Sequence, residues 1–433
     1  MSTLTFHPAR LSGVAQVPPA KSEAHRAVLL AALGSRSCRL SGFSGPLCND
    51  TLAMLSGAAA LGAHWAHEDG ALVITPGAGQ KTDVCRVHAC AAALRMLLPV
   101  FLAKNQPVRM MMDAALYARP RDAFDTLAAR LDARVRVTPP GEDGMAALEL
   151  CGHMPAGAYE VDGTRSSQFA SGMLIALAHA TDAAGHPAGG RLTVRGPIAS
   201  RPYLDMTLRA MERFDAPVRE IGEGVFDIHP AGDDRPEAWA VPGDWSQAAV
   251  LLCLNALGAN VRVRGLASGS QGDERVMDVL SAMGMRVGHQ NGEWYAACAS
   301  RARLRPVSLD CTDIPDIAPI LALALTQARG ESVLTGVHRL RIKECDRLSA
   351  TVELLSQLGA DARAEEDRLI VQGPARLRGG FTADARADHR MVMLLAAAAS
   401  AADGPITVAG AECIAKSWPG FAETYAQLGG AVT

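Results

Sequence analysis

The 433-residue chain is poor in aromatic side chains, 4% of the total, so its cores must be built from aliphatic residues and alanine. Net charge is small: 42 Lys+Arg stand against 45 Asp+Glu, a formal −3. That excludes the chain-wide basic field of a nucleic-acid-binding protein, and any anion site must be local. Long apolar runs are missing. The most apolar stretch, 391–402, is about 12 residues where a membrane span needs roughly 18 to 20, so no membrane partner is expected. The opening MSTLTFHPAR has no basic segment leading into an apolar one, so secretion is not expected and a cytoplasmic protein is. The 10 cysteines form no Cys-x-x-Cys pair and read as small buried hydrophobes rather than disulfides. Cys85, His88 and Cys90 are zinc-ligand types, but no matching second half follows, so no metal is expected.

What the chain does have is repetition. A unit of roughly 65 to 80 residues recurs along it. Each copy opens with an Ala/Leu-rich helical stretch, runs into a Gly-bounded strand, and starts a second amphipathic helix from a polar turn. The first helices are predicted at 22–33, 91–102, 167–179, 246–257, 317–328 and 391–402. The strands follow at 38–42, 108–112, 191–196, 261–265, 332–336 and 406–410, and the second helices at 50–61, 121–131, 203–214, 274–283, 347–358 and 419–428. Four second helices close on LGA, MGM, LGA and LGG at 61–63, 283–285, 358–360 and 428–430, where a glycine suits a left-handed cap. This alternation implies α/β (α+β) layering, and a chain of this length exceeds one core, so two domains of three copies each are expected. The switch lies near Val241-Pro242-Gly243-Asp244.

Polar residues that do not fit a helix face gather in two recurring places. At the start of the first helices stand Lys21, Ser22 and Arg26, then Ser166, Ser167 and Gln168, then Asp316, then Asp388, His389 and Arg390. At the turns into the second helices stand Arg119, Ser200 and Tyr203, Lys343, Glu344 and Arg347, and Lys416. Singly, each is an ordinary cap or a solvated cation. Together they are harder to explain, because cations at positive helix ends repel one another unless anions offset them. The pattern predicts a site for phosphate and carboxylate groups, with acids available for proton transfer.

The runs AKSEAHR (20–26), NDTL (49–52), RSSQ (165–168), SRPY (200–203), IPD (314–316), RIKECDR (341–347), DHRM (388–391) and AK (415–416) resemble the 5-enolpyruvylshikimate-3-phosphate synthase family, in order and over nearly the whole chain. The resemblance implies two domains, each of three βαβαββ units, with the ligand site in the interdomain cleft. It assigns 20–243 to one domain and 1–19 plus 244–433 to the other. The substrates implied are shikimate 3-phosphate and phosphoenolpyruvate, with no metal or redox cofactor, and a monomer is expected. Ser166, Ser167, Ser200 and Tyr203 would hold the acceptor phosphate, with Lys21, Ser22, Arg26, Asp316, Arg339 and Lys343 around the ring. Lys21, Arg119, Gln168, Arg347, Arg390 and Lys416 would clamp phosphoenolpyruvate. The implied chemistry is carboxyvinyl transfer through a tetrahedral ketal, with Asp316 as base toward the acceptor hydroxyl, Glu344 as proton relay at the methylene carbon, and Lys21 and His389 assisting.

Two departures from the family pattern follow. Aligning on Arg95 puts Ala89, Ala91 and Ala92 where the family usually has Asn or Glu, Gly, and Ser or Thr. The methyl of Ala91 in the phosphoenolpyruvate pocket is the kind of change associated in the family with insensitivity to the phosphonate herbicide glyphosate, so tolerance and weaker phosphoenolpyruvate binding are expected. Arg339 stands where an Asn is usual. The rival readings are a relative acting on another phosphorylated polyol, and a noncatalytic anion-binding homologue. The sister transferase acting on UDP-N-acetylglucosamine fits less well, since Ala114-Ala115-Leu116 lacks its cysteine and Lys21 is followed by Ser22.

Overall fold

Apolar helices with polar starts alternate with short strands throughout the computed structural model, which describes residues 2–119, 122–131, 133–164 and 166–433. Arg121, the predicted start of a helix, and Arg165 of the RSSQ run lie outside the described residues. The chain divides into two compact units, Met1–Pro18 with Pro242–Thr433, and Pro19–Val241.

In the Pro19–Val241 unit, one sheet sets out the pattern. Val84–His88 pairs parallel with Val108–Asp113, which pairs antiparallel with Met145–Cys151, which pairs antiparallel with Arg134–Thr138. A parallel pair needs a crossover, and the helix Ala91–Ala103 supplies it. The same order recurs in Gly157–Asp162, Gly190–Arg195, Val225–Ile228 and Val218–Gly222, with Ser167–Ala178 as crossover. In the third sheet the parallel partner of Cys38–Ser41 is Ala238–Ala240, from the far end of the unit.

The other unit repeats this. Ser12–Gln16 pairs parallel with Asn260–Arg264, and Ser308–Asp310 with Gly330–Thr335. Phe381–Asp384 pairs parallel with Ile406–Ala409, whose other edge takes Thr3–Phe6 antiparallel. Phe6, fully buried, packs its ring 5.2 Å from Tyr425 and so fastens the N-terminal strand to the helix Phe421–Gln427.

The crossover helices are buried on most sides, as their composition requires: every residue of Ala318–Leu325 and of His389–Ala399 is buried. The predicted helix 246–257 is an α-helix only over Trp245–Cys253 and tightens to a 3-10 turn over Leu254–Leu257. The predicted 317–328 is preceded by a 3-10 turn at Pro315–Ile317, where proline can donate no N–H. A short helix at Ala114–Tyr117 was not predicted. The glycines of the four helix-closing motifs take φ of +93°, +91°, +81° and +96°, and in the third copy Asp215 holds that position at +51°. Among the described residues no helix is long and apolar enough to cross a membrane.

Helix packing within the Pro19–Val241 unit depends on Gly172, where an added Cβ would stand 2.7 Å from the Met96 backbone. Gly172→Ala therefore forces Ser167–Ala178 away from Ala91–Ala103 and should cost about 2 kcal/mol or more in a urea unfolding series. An unchanged midpoint and slope would show that the helices can separate freely.

Candidate active site

In the Pro19–Val241 unit the helix Lys21–Ala32 begins with a lysine rather than an acid, and Asp50 offsets it: Lys21 Nζ lies 2.9 Å from Asp50 Oδ2. His25, one turn on, contacts Asp50 O through Nε2 at 2.9 Å, and burial drives its imidazole down to about 3, so it is neutral. Ser166 caps Ser167–Ala178, accepting from Gln168 N at 3.3 Å, and the Gln168 side chain accepts from Arg95 Nη1 at 3.0 Å. Ser200 is buried with left-handed φ of +56°, a costly backbone for a residue other than glycine, and Tyr203 N–H folds back onto its carbonyl at 3.0 Å. Arg119 follows the short helix, its N–H on Leu116 O at 3.0 Å.

Arg26 sits within a network of its own. It is buried, and its guanidinium donates to Thr207 Oγ1 (2.7 Å), Ser22 O (2.6 Å), Tyr203 O (2.7 Å) and Ser171 Oγ (3.4 Å). Its visible work is to tie the two helix starts bearing Ser22 and Tyr203 together. The alanine segment forms the start of Ala91–Ala103, with Ala91 buried and the Cys90 thiol accepting weakly from Ala93 N at 3.4 Å. Among the described residues no group of three His, Cys, Asp or Glu side chains is placed to hold a metal.

In the other unit, Arg347 opens the helix Arg347–Gln357 with its side chain 2% exposed. Its Nε donates to Asp388 Oδ2 (2.7 Å), its Nη1 to Asp316 Oδ1 (2.9 Å), and its Nη2 to Glu344 Oε2 (2.7 Å) and Asp388 Oδ1 (3.3 Å). Lys343 Nζ reaches Asp316 Oδ1 at 3.0 Å, and Lys416 Nζ lies 3.9 Å from Glu344 Oε1. Asp388 also caps His389–Ala399 through Arg390 N at 2.9 Å and stands 3.7 Å from His389 Nδ1. Arg390 Nη1 donates to Ser246 O at 3.2 Å. Arg339 is buried in the turn His338–Ile342. Burial, then the charges of Arg347 and Arg339, push the Lys343 ammonium down against the pull of Asp316. Burial opposes the charge on Asp316, but Lys343, Arg347 and Arg390 outweigh it and hold the carboxyl well below its ordinary range.

The structure therefore brings Asp316, Lys343, Glu344, Arg347, His389, Arg390 and Lys416 into one cluster and Ser22 and Arg26 into another network with Tyr203, while Lys21 pairs with Asp50. It also adds Asp50 and Arg95 as partners, whose roles depend on spatial neighbours that no helix-start pattern reveals, and it joins Asp388, already picked out at a helix start, to Arg347.

Such a set belongs to an anion-binding transferase with acids at hand, and comparison narrows the class. A family model described as EPSP synthase (3-phosphoshikimate 1-carboxyvinyltransferase) matches residues 6–425. The 3-phosphoshikimate 1-carboxyvinyltransferase of Methanocorpusculum labreanum is 34% identical over 426 residues, 97% of each chain, and that of Clostridium botulinum is 31% identical over 441 residues, 99% of this chain and 98% of the other. The chain belongs to the EPSP synthase family, a family of transferases. EPSP synthase from Acinetobacter baumannii superposes with TM-score 0.79 at 24% identity, covering 100% of both chains. The enolpyruvyl transferase NikO from Streptomyces tendae superposes at 0.75 with 20% identity, covering 100% of this chain and 98% of its own, a likeness of fold.

Because the Asp316 carboxyl is depressed on folding, its stabilising contribution is present above the unfolded carboxylate value of about 3.9 and is lost as pH falls toward the folded value. Urea unfolding should lose stability between about pH 5 and about pH 2, and less steeply in Asp316→Asn. Equal slopes in the two proteins would remove Asp316 from that account.

Proposed function

We propose that the protein is a 3-phosphoshikimate 1-carboxyvinyltransferase, moving the enolpyruvyl group of phosphoenolpyruvate to the 5-hydroxyl of shikimate 3-phosphate with release of phosphate, as a cytoplasmic monomer of the shikimate pathway. The observation that carries the reading is the Arg347 cluster, where Asp316, Glu344 and Asp388 share Arg347, Lys343 and Lys416, in a chain that belongs to the family over its length.

Asp316 is held ionised, the state a base requires, yet its attachment to Lys343 and Arg347 makes it weakly basic. When the carboxylate and phosphate of phosphoenolpyruvate draw those cations, Asp316 regains basicity and takes the proton of the 5-hydroxyl as its oxygen adds to C2. Glu344, between Arg347 and Lys416, relays a proton to the methylene carbon, forming a tetrahedral ketal, and accepts one back when the new methyl group is deprotonated. Loss of a proton from the new methyl group and cleavage of the C–O bond to phosphate then complete the transfer. The cations stabilise the departing phosphate, and Lys21, held by Asp50, and His389 assist. Ser166, Ser167, Ser200 and Tyr203 take the acceptor phosphate, and Arg119, Gln168 and Arg390 hold phosphoenolpyruvate. Arg339, buried near Lys343, supports a second reading in which the acceptor is another phosphorylated polyol, to be tested by comparing kcat/KM for the two acceptors.

Phosphate release from phosphoenolpyruvate should require shikimate 3-phosphate and fall by about 100-fold or more in Lys21→Ala and Glu344→Ala. No release by the folded protein with this acceptor would defeat the assignment.

Ala91, buried at a helix start, supports a site narrowed against glyphosate. Ala91→Gly should lower both the glyphosate inhibition constant and the KM for phosphoenolpyruvate, the former by about tenfold, equivalent to about 1.4 kcal/mol. An inhibition constant that does not move would exclude the methyl group as the cause of tolerance.

A further inference from the structure

The turn Gly272–Arg275 carries a carboxyl group that the helix-start pattern does not pick out. Asp273 is 2% exposed and accepts through Oδ2 from the Ser246 hydroxyl, while Oδ1 is buried with no hydrogen bond among the described residues. Ser246 lies in the first turn of Trp245–Cys253, and its main-chain carbonyl is the one that receives Arg390 Nη1 at 3.2 Å. Arg390 Nε is likewise buried with no hydrogen bond among the described residues. Asp273, Ser246 and Arg390 thus form one chain of contacts, from a carboxyl to a serine and from the serine backbone to an arginine.

Other contacts hold the helix start itself. Trp245 N–H donates to Gln271 Oε1 (2.9 Å), its indole Nε1 to Ala267 O (2.8 Å), and Gln271 Nε2 to Gly243 O (2.9 Å). What Asp273 adds is a hold on the Ser246 side chain and a group that can change its charge. Around it lie Asp316 from the turn Pro315–Ile317, Asp244 at the cap of Trp245–Cys253, Arg390 from His389–Ala399, the Cys311 thiol, and Glu274 and Arg275 on its own turn. Burial first, then the charge of Asp316, raises the Asp273 carboxyl to about 7. Burial pushes the Cys311 thiol up to about 12, so it stays neutral. Below neutrality Asp273 is an uncharged acid that draws no cation. Above it, Asp273 is an anion whose charge attracts the nearby Arg390 guanidinium.

We propose that Asp273 is a positioning residue: through Ser246 it sets where the Arg390 guanidinium rests, and hence how tightly the site holds phosphoenolpyruvate. The inference rests on the reading of phosphoenolpyruvate as the anion that Arg390 meets.

The test measures phosphoenolpyruvate affinity calorimetrically with shikimate 3-phosphate present, alongside steady-state KM and kcat, from about pH 5.5 to about pH 9. Wild type is compared with Asp273→Asn, Asp273→Ala and Ser246→Ala, each first checked for an intact unfolding transition. Wild-type affinity should weaken as pH rises through about 7. Asp273→Asn, nearly the same shape without the titration, should lack that component, and the ratio of the two profiles cancels titration of the ligand itself. Asp273→Ala and Ser246→Ala should bind several-fold more weakly than wild type at about pH 5.5, where Asp273 is uncharged and only its hold on Ser246 is lost, with the change in KM rather than kcat. The inference is overturned if Asp273→Asn keeps the wild-type pH dependence, if both alanine variants bind as wild type does, or if only kcat falls. Should wild type bind phosphoenolpyruvate yet transfer nothing to shikimate 3-phosphate, the proposed function fails and the calorimetric profiles alone decide on Asp273. Absence of binding in wild type overturns both.

Discussion

One guanidinium organises the chemistry of the Pro242–Thr433 region. Arg347 is buried and reaches Asp388, Asp316 and Glu344, on three different stretches of chain. A lysine could not replace it, because a point charge cannot hold three carboxylates in fixed directions as a planar fork does. Lys343, Arg390 and Lys416 lie around the same three acids, with Asp273 close to Asp316, Arg390 and Asp244, so a dense set of charges of both signs is kept largely out of water. Keeping so many charges out of water is costly unless each is offset, and the cations that a ligand can draw away from these carboxylates are the physical content of the functional reading.

Much of the architecture is legible in the sequence because the signals are local. Apolar periodicity and Gly caps locate most crossover and second helices to within a few residues, and the left-handed φ at Gly62, Gly284, Gly359 and Gly429 is the physical basis of the LGA-type motif. The sheets are another matter. That Ala238–Ala240 lies beside Cys38–Ser41, and Thr3–Phe6 beside Ile406–Ala409, depends on pairing across some 200 to 400 residues, which no periodicity encodes. For the site, a cation at a helix start is visible in sequence while its partner is not. Arg26 is visible there, but its bonds to Thr207, Ser22 and Tyr203 are not, and Asp273 looks like an ordinary turn acid.

The alanine segment shows why a loss of polar side chains need not abolish an anion site. The first four N–H groups of Ala91–Ala103 have no acceptor within their own helix whatever the side chains are, and the dipole still points its positive end the same way. What changes is the shape of the space and the number of side-chain donors. Arg95, one turn in and bonded to Gln168, keeps a cation joined to the neighbouring helix start.

The opposite helix ends sharpen the argument. Arg235 donates to Leu30 O at 3.3 Å and Arg301 to Leu257 O at 3.2 Å, each near the close of a first helix of its repeat, while the Arg378 chain covers Gly359 at the close of the second helix Arg347–Gln357. Cations there are favoured by the negative end of the dipole and by unsatisfied carbonyls, and they call for no function. The same residue types at Lys21 and Arg390 oppose the dipole, one leaning on Asp50 and the other on a serine carbonyl. A cation's position along its helix, more than its presence, separates binding machinery from ordinary capping in this fold.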